Sequence, residues 1–284
     1  MAHKYWMQQK QQQPQNATPV ANLQTEIEGR THVQAMRLLH KRFLSEMTRA
    51  PKPDAAAAEE AALQVLKGSQ DITASLRAAR AHGQTAPFAF HADDVEYHET
   101  ISRILQTGPR PVACGPQQPE RRAWGLEEVS EAALAAVLEA YCNLATVGVE
   151  MLRQVVTVRG MPQGLMNAVE QGSASVKVYG VFLLSQLAIA GPETAIKIAL
   201  LPGLPEACCR AISTSSKSEK LTFNWALLVN NVAALGGEDA VRALTAHGML
   251  VRELGAWLDN AHDAATLQRL TGVQAGCMRS VCAL

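Results

Sequence analysis

A chain of 284 residues can form two ordinary domains or one elongated solenoid. Lysine plus arginine and aspartate plus glutamate stand at 26 each, so no net field gathers nucleic acid or an anionic membrane. Aromatics make up only 5% of the chain and few segments alternate apolar with polar residues, which argues against a mostly β fold.

Residues 1–25 read as a polar arm. They contain Lys4 and Lys10, no acid and no arginine, and a glutamine tract from Gln8 to Gln13 interrupted by Lys10. The apolar core of a secretory signal is missing, and the arm matches only the acid-poor half of a mitochondrial presequence. Tyr5 and Trp6 place apolar surface where nothing local can bury it, which makes them candidate protein-binding residues.

Residues 26–107 form a helical region. Val33, Met36, Leu39, Phe43 and Met47 recur every three or four residues, which predicts one helix from Glu26 to Arg49, ended by Pro51 and Pro53. Asp54 is an N-cap candidate for a helix Ala55 to Lys67, with Gly68 just past its end, and a short helix Asp71 to His82 stops at Gly83. A further helix starts at Asp93 or Asp94 and runs to Thr107, with Val95, Ile101, Ile104 and Leu105 inward.

Residues 108–125 form the expected linker. The stretch Thr107 to Trp124 has four prolines and two glycines, excludes a regular helix or central strand, and leaves Arg121 and Arg122 in a loop.

From 126 to 284 the text is helical. An apolar-faced helix runs Leu126 to Ala145. Then Gly160, Gly203 and Gly248 close units of 43 and 45 residues. The first unit divides near Pro162–Gln171, Ser175–Ala190 and Glu193–Leu201. The second divides into Pro205–Ile212, a polar turn Ser213–Glu219, Leu221–Leu235 and Asp239–Ala246. A stretched last copy begins at Met249 and ends with Cys277 to Leu284, as an irregular cap would.

Three matching segments carry a family likeness: Cys142-Asn143-Leu144-Ala145, Ser185-Gln186-Leu187-Ala188 and Asn230-Asn231-Val232-Ala233, with Pro162 and Pro205 just after the repeat-opening glycines. This region resembles an armadillo-type repeat protein, with the HEAT repeat as the near alternative. The resemblance implies an all-α, right-handed α-solenoid with an N-terminal helical extension. It also implies that the third helix of each repeat lines a concave surface where an Asn binds the backbone of an extended peptide. Asn143, Gln186 and Asn231 hold those positions and are the candidate groove residues. The bland alternative is an amide satisfied between two helices. In the groove reading, removing Asn143 and Asn231 weakens partner binding and leaves melting unchanged. Nuclear-import receptors place Trp four residues before that Asn; here Glu139, Phe182 and Leu227 stand there and Trp225 is out of register, so an import role is not expected.

Catalytic signatures are missing: no phosphate loop, no dinucleotide fingerprint, no nucleophile elbow and no H-E-x-x-H. His91 and His98, with Asp94, are the nearest thing to a metal cluster, and no metal or cofactor is expected. The six cysteines show no C-x-x-C spacing and read as buried thiols of a reducing compartment. No apolar run reaches the ~20 residues of a membrane span.

The expectation is a non-enzymatic scaffold binding other proteins. It is placed first in a cytoskeletal assembly such as ciliary or flagellar microtubules, with tubulin or a neighbouring axonemal protein as partner. The alternatives are a helical subunit of a mitochondrial or ribosome-associated complex, a soluble adaptor, and a divergent enzyme subunit. Whether a peptide or the chain's own N-terminal helices fill the groove stays open.

Overall fold

The computed structural model describes residues 34–47, 55–81, 95–112, 121–124, 129–146, 149–214, 219–246, 250 and 252. Tyr5, Trp6, His91, Asp94 and, but for residues 250 and 252, the last repeat lie outside the described residues.

The order is α1 (34–47), α2 (Ala55–Ala81), α3 (Val95–Thr107), β1 (Pro109–Val112), β2 (Arg121–Trp124), β3 (Val129–Ser130), α4 (Glu131–Ala145), α5 (Val149–Thr157), α6 (Met161–Gln171), α7 (Ala174–Leu187), α8 (Pro192–Ala199), α9 (Leu204–Thr214) and α10 (Glu219–Thr245). One 3₁₀ turn, Ala188–Ala190, extends α7.

Helices α5, α6 and α7 form one three-helix repeat, and α8, α9 and the first part of α10 form the next. Gly160 and Gly203, with φ of 78° and 80°, turn the chain into α6 and α9. Inside α10, Gly237 breaks the helix at φ 63° and ψ −150°, where the sequence places the join between Leu235 and Asp239. This agreement follows from local punctuation that tertiary packing does not override.

Third helices stack on third helices. Asn224 Nδ2 donates to the Val178 carbonyl at 2.9 Å and Asn231 Nδ2 to the Ser185 carbonyl at 3.0 Å, so α10 runs parallel to α7 in one register. On α4 and α2, Ser130 meets Glu59, Asn143 meets Ser69 and Thr146 meets Arg77, which makes that pair parallel too. Second helices stack likewise: Asn167 Nδ2 on α6 donates to the Leu105 and Gln106 carbonyls at the end of α3. One core runs through these layers, from Met36 and Phe43 through Leu138 and Leu184 to Leu228 and Val241. Each such fully buried side chain contributes about 1.5–3 kcal/mol.

Four expectations need correction. Helix α2 is continuous from Ala55 to Ala81, with no break after Lys67. A Cβ on Gly68 would lie 2.5 Å from Leu39 Cδ1, so this glycine admits α1 against α2 and caps nothing. Val95 is 45% exposed, because the first residue of α3 precedes the turn that faces the core, while Ile101, Ile104 and Leu105 are buried. The stretch expected to exclude a regular helix or central strand supplies β1 and the central strand β2 of a three-stranded antiparallel sheet, β1-β2-β3. Pro109 and Pro111 sit on the edge strand β1, and β2 itself has no proline, which is how a ladder tolerates the composition. Arg121 and Arg122 are therefore strand residues. Finally, α4 starts at Glu131 and not Leu126: Val129–Ser130 is spent on β3, and the Ser130 hydroxyl caps the helix by accepting from the Ala133 amide at 3.1 Å.

Among the described residues no helix is long and apolar enough to cross a membrane.

Candidate protein-binding face

The stacked third helices bring the sequence-selected amides to equivalent steps. Asn143, Gln186 and Asn231 lie on α4, α7 and α10, all half-buried. Asn143 Nδ2 donates to Ser69 Oγ at 3.2 Å, and Asn231 Nδ2 to the Ser185 carbonyl at 3.0 Å. One amide proton of each asparagine thus ties its helix to the preceding one. The second amide hydrogen of Asn143 is not used by any described bond.

Ser69 and Ser185 are counterparts. Both are fully buried, and each hydroxyl donates to the carbonyl three residues back, Leu66 or Phe182, at 2.6 Å. The residue after each is a glutamine. Gln70 is therefore the α2 counterpart of Gln186, a fourth step that sequence reasoning missed although the repeated Ser-Gln pair signals it. Gln70 is exposed and Gln186 half-buried, and neither carboxamide has a hydrogen-bond partner among the described residues. The face thus presents four carboxamides, Gln70, Asn143, Gln186 and Asn231, on successive parallel helices.

Four residues before each amide stand Leu66, Glu139, Phe182 and Leu227. Glu139 Oε2 accepts from the Tyr179 hydroxyl at 2.6 Å, linking α4 to α7. Burial, then the hydrogen bond to Glu139 and that carboxylate's charge, pushes the Tyr179 phenol up from its ordinary value. The Cys142 thiol donates to the Tyr179 carbonyl at 3.5 Å and is pushed up by burial first and by Glu139 second. A buried neutral thiol of this kind packs and is a poor nucleophile.

His98 is a core residue. It is buried, pairs through Nδ1 with the Tyr141 hydroxyl and lies in a ring cluster with His40 and Tyr97, whose rings stack at 3.8 Å. Among the described residues no group of three His, Cys, Asp or Glu is placed to hold a metal. Trp225 is buried in α10, as its register requires.

No family model and no curated protein sequence matches the chain. Solved structures do. An engineered protein matches with a TM-score of 0.58 at 14% identity, over 87% of this chain and 84% of that one. A designed armadillo repeat protein in complex with the peptide (KR)4 matches with a TM-score of 0.56 at 12% identity, over 88% and 91%. A second designed armadillo repeat protein matches with a TM-score of 0.51 at 11% identity, over 85% and 99%. The fold is an armadillo-like α-solenoid. In that solenoid α2 and α4 act as third helices and α1 and α3 as second helices, so the described N-terminal helices join the stack and do not lie across it.

Proposed function

We propose that this armadillo-like chain is a non-enzymatic scaffold whose stacked third helices hold an extended segment of a partner protein. The observation that supports it is the amide register: two asparagines fixed by helix-bridging bonds, alternating with two glutamines whose carboxamides have no hydrogen-bond partner among the described residues. A carboxamide offers a donor and an acceptor together, which is what an extended backbone requires. Cross-linking mass spectrometry on the native complex tests it. Cross-links to the partner are expected from Lys67, three residues before Gln70 on α2; cross-links confined to Lys41 and Lys197, on α1 and α8, would reject this face.

For placement we propose a structural subunit of a cytoskeletal assembly, a ciliary or flagellar microtubule lattice first, with tubulin or a neighbouring axonemal protein as partner. Support comes from the acid-free, glutamine-rich arm carrying Tyr5 and Trp6 and from analogy of fold. Fractionation decides it: retention with detergent-extracted microtubules is the expected result, whereas recovery in the soluble, mitochondrial or ribosomal fraction would replace this placement.

A further inference from the structure

We propose that the stacked face takes an extended segment carrying apolar side chains and no run of Lys or Arg. This rests on the stacked third helices being the binding face.

Positions three, four and seven residues from each carboxamide share its stripe on the helix. On α2 that stripe holds Leu63 and Leu66, and on α7 it holds Tyr179 and Phe182, continued by Ile189 in the 3₁₀ turn; on α10 it holds Leu235. Leu63 is 52% exposed, Ile189 36% and Leu235 40%. These are half of the large hydrophobic residues that the described surface exposes, the others being Leu38, Val95 and Leu200. Apolar side chains set between unused carboxamides suit a ligand whose backbone is read by the amides and whose side chains lie on leucine, isoleucine and phenylalanine.

Charge on the same stripe settles which ligand it is. Its charged residues are Lys67, Arg77, Glu139 and, past the Gly237 break of α10, Glu238. Arg77 Nη2 donates to Thr146 Oγ1 at 3.2 Å, and the carboxylate of Glu139 already accepts from Tyr179. Two cations place like charge at the α2 end, and Glu139, the acid that precedes the Gly237 break, is already engaged, so a basic peptide gains little along the stripe. A neutral or acidic apolar segment meets no such opposition. Packed helices lie about 8–10 Å apart, so four of them span roughly 24–30 Å, which about seven to nine extended residues cover at ~3.3 Å each.

The experiment is selection from a displayed library of random nonapeptides on the full chain, repeated on the double variant Gln70→Ala, Gln186→Ala. Enriched peptides and (KR)4 are then titrated by fluorescence anisotropy. The expected result is enrichment of apolar residues and depletion of Lys and Arg. Affinity should fall at least about tenfold in the double variant and also in Leu63→Ser, the size of one or two lost contacts. Enrichment of basic peptides that still depend on the two glutamines overturns this inference and leaves the binding face standing. Peptides that bind the double variant equally, or no enrichment at all, overturn both. Neither glutamine has a hydrogen-bond partner among the described residues, so circular dichroism melts of the variants should match the parent and exclude unfolding as the cause.

Discussion

The side-chain amide of Asn231 donates to the backbone carbonyl of Ser185 at 3.0 Å, across the seam between α10 and α7. Asn143 bridges to the Ser69 hydroxyl at the α4–α2 seam, so these residues act in stability as well as in any binding. That revises the expectation of unchanged melting. Asn231→Ala and Asn143→Ala should each cost about 1 kcal/mol, the usual net worth of such a bond. Urea titration of each single variant checks it, and an unmoved midpoint would show that the seams hold without the amides.

Gly164 on α6 faces the end of α3, and a Cβ there would lie 2.7 Å from Leu105 Cβ and 3.3 Å from the Ser102 carbonyl oxygen. Neither neighbour is the tip of a flexible chain. Gly164→Ala is expected to destabilise by about 1–3 kcal/mol, outweighing the roughly 1 kcal/mol that alanine gains in a helix interior. A rise in thermal midpoint would refute the close approach of the second helices.

Trp124 is fully buried on the central strand β2. Trp124→Ala should cost about 3–5 kcal/mol, as for other large-to-small changes in cores. Differential scanning calorimetry is expected to show one transition at lower temperature. Two separated transitions would mark residues 108–125 as a boundary between independently folding units.

Burial raises the Cys142 and Cys208 thiols above their ordinary 9.0, helped by Glu139 and Cys209 respectively, and burial with Glu139 raises Tyr179 above 10.0. Each group holds its proton more tightly folded than unfolded. The stability this represents is complete below the unfolded value and is lost as pH climbs from about 9 through the raised folded values. Unfolding midpoints measured from pH 7 to about 10.5 should therefore fall with pH, more gently in Cys142→Ala with Cys208→Ala. A pH-independent midpoint would contradict the burial of these thiols.

Much of this architecture is legible in the sequence where local signals and packing agree. Gly160 and Gly203 punctuate the helices they were expected to punctuate, the break at Gly237 falls in the join expected between Leu235 and Asp239, and the amides Asn143, Gln186 and Asn231 fall on successive third helices. The failures have one cause, a local signal that only a distant neighbour can interpret. Gly68 reads as a helix end until α1 is laid against it. Pro109 and Pro111 read as loop residues until β2 gives them an edge to occupy. Gln70 escaped notice because its partner seam spans 74 residues, from Ser69 to Asn143, where the α7–α10 seam spans 46.

That unequal spacing has a consequence for engineering and for ancestry. Many of the extra residues of the longer span lie between α3 and α4, in the stretch that carries the sheet, while Asn143 still meets Ser69 as Asn231 meets Ser185. The superhelix counts helices and ignores the residues between them. The connection between β1 and β2 is therefore a natural graft point, where a reporter or a foreign epitope could be inserted with both strands and the buried Trp124 retained, without shifting a single carboxamide out of line.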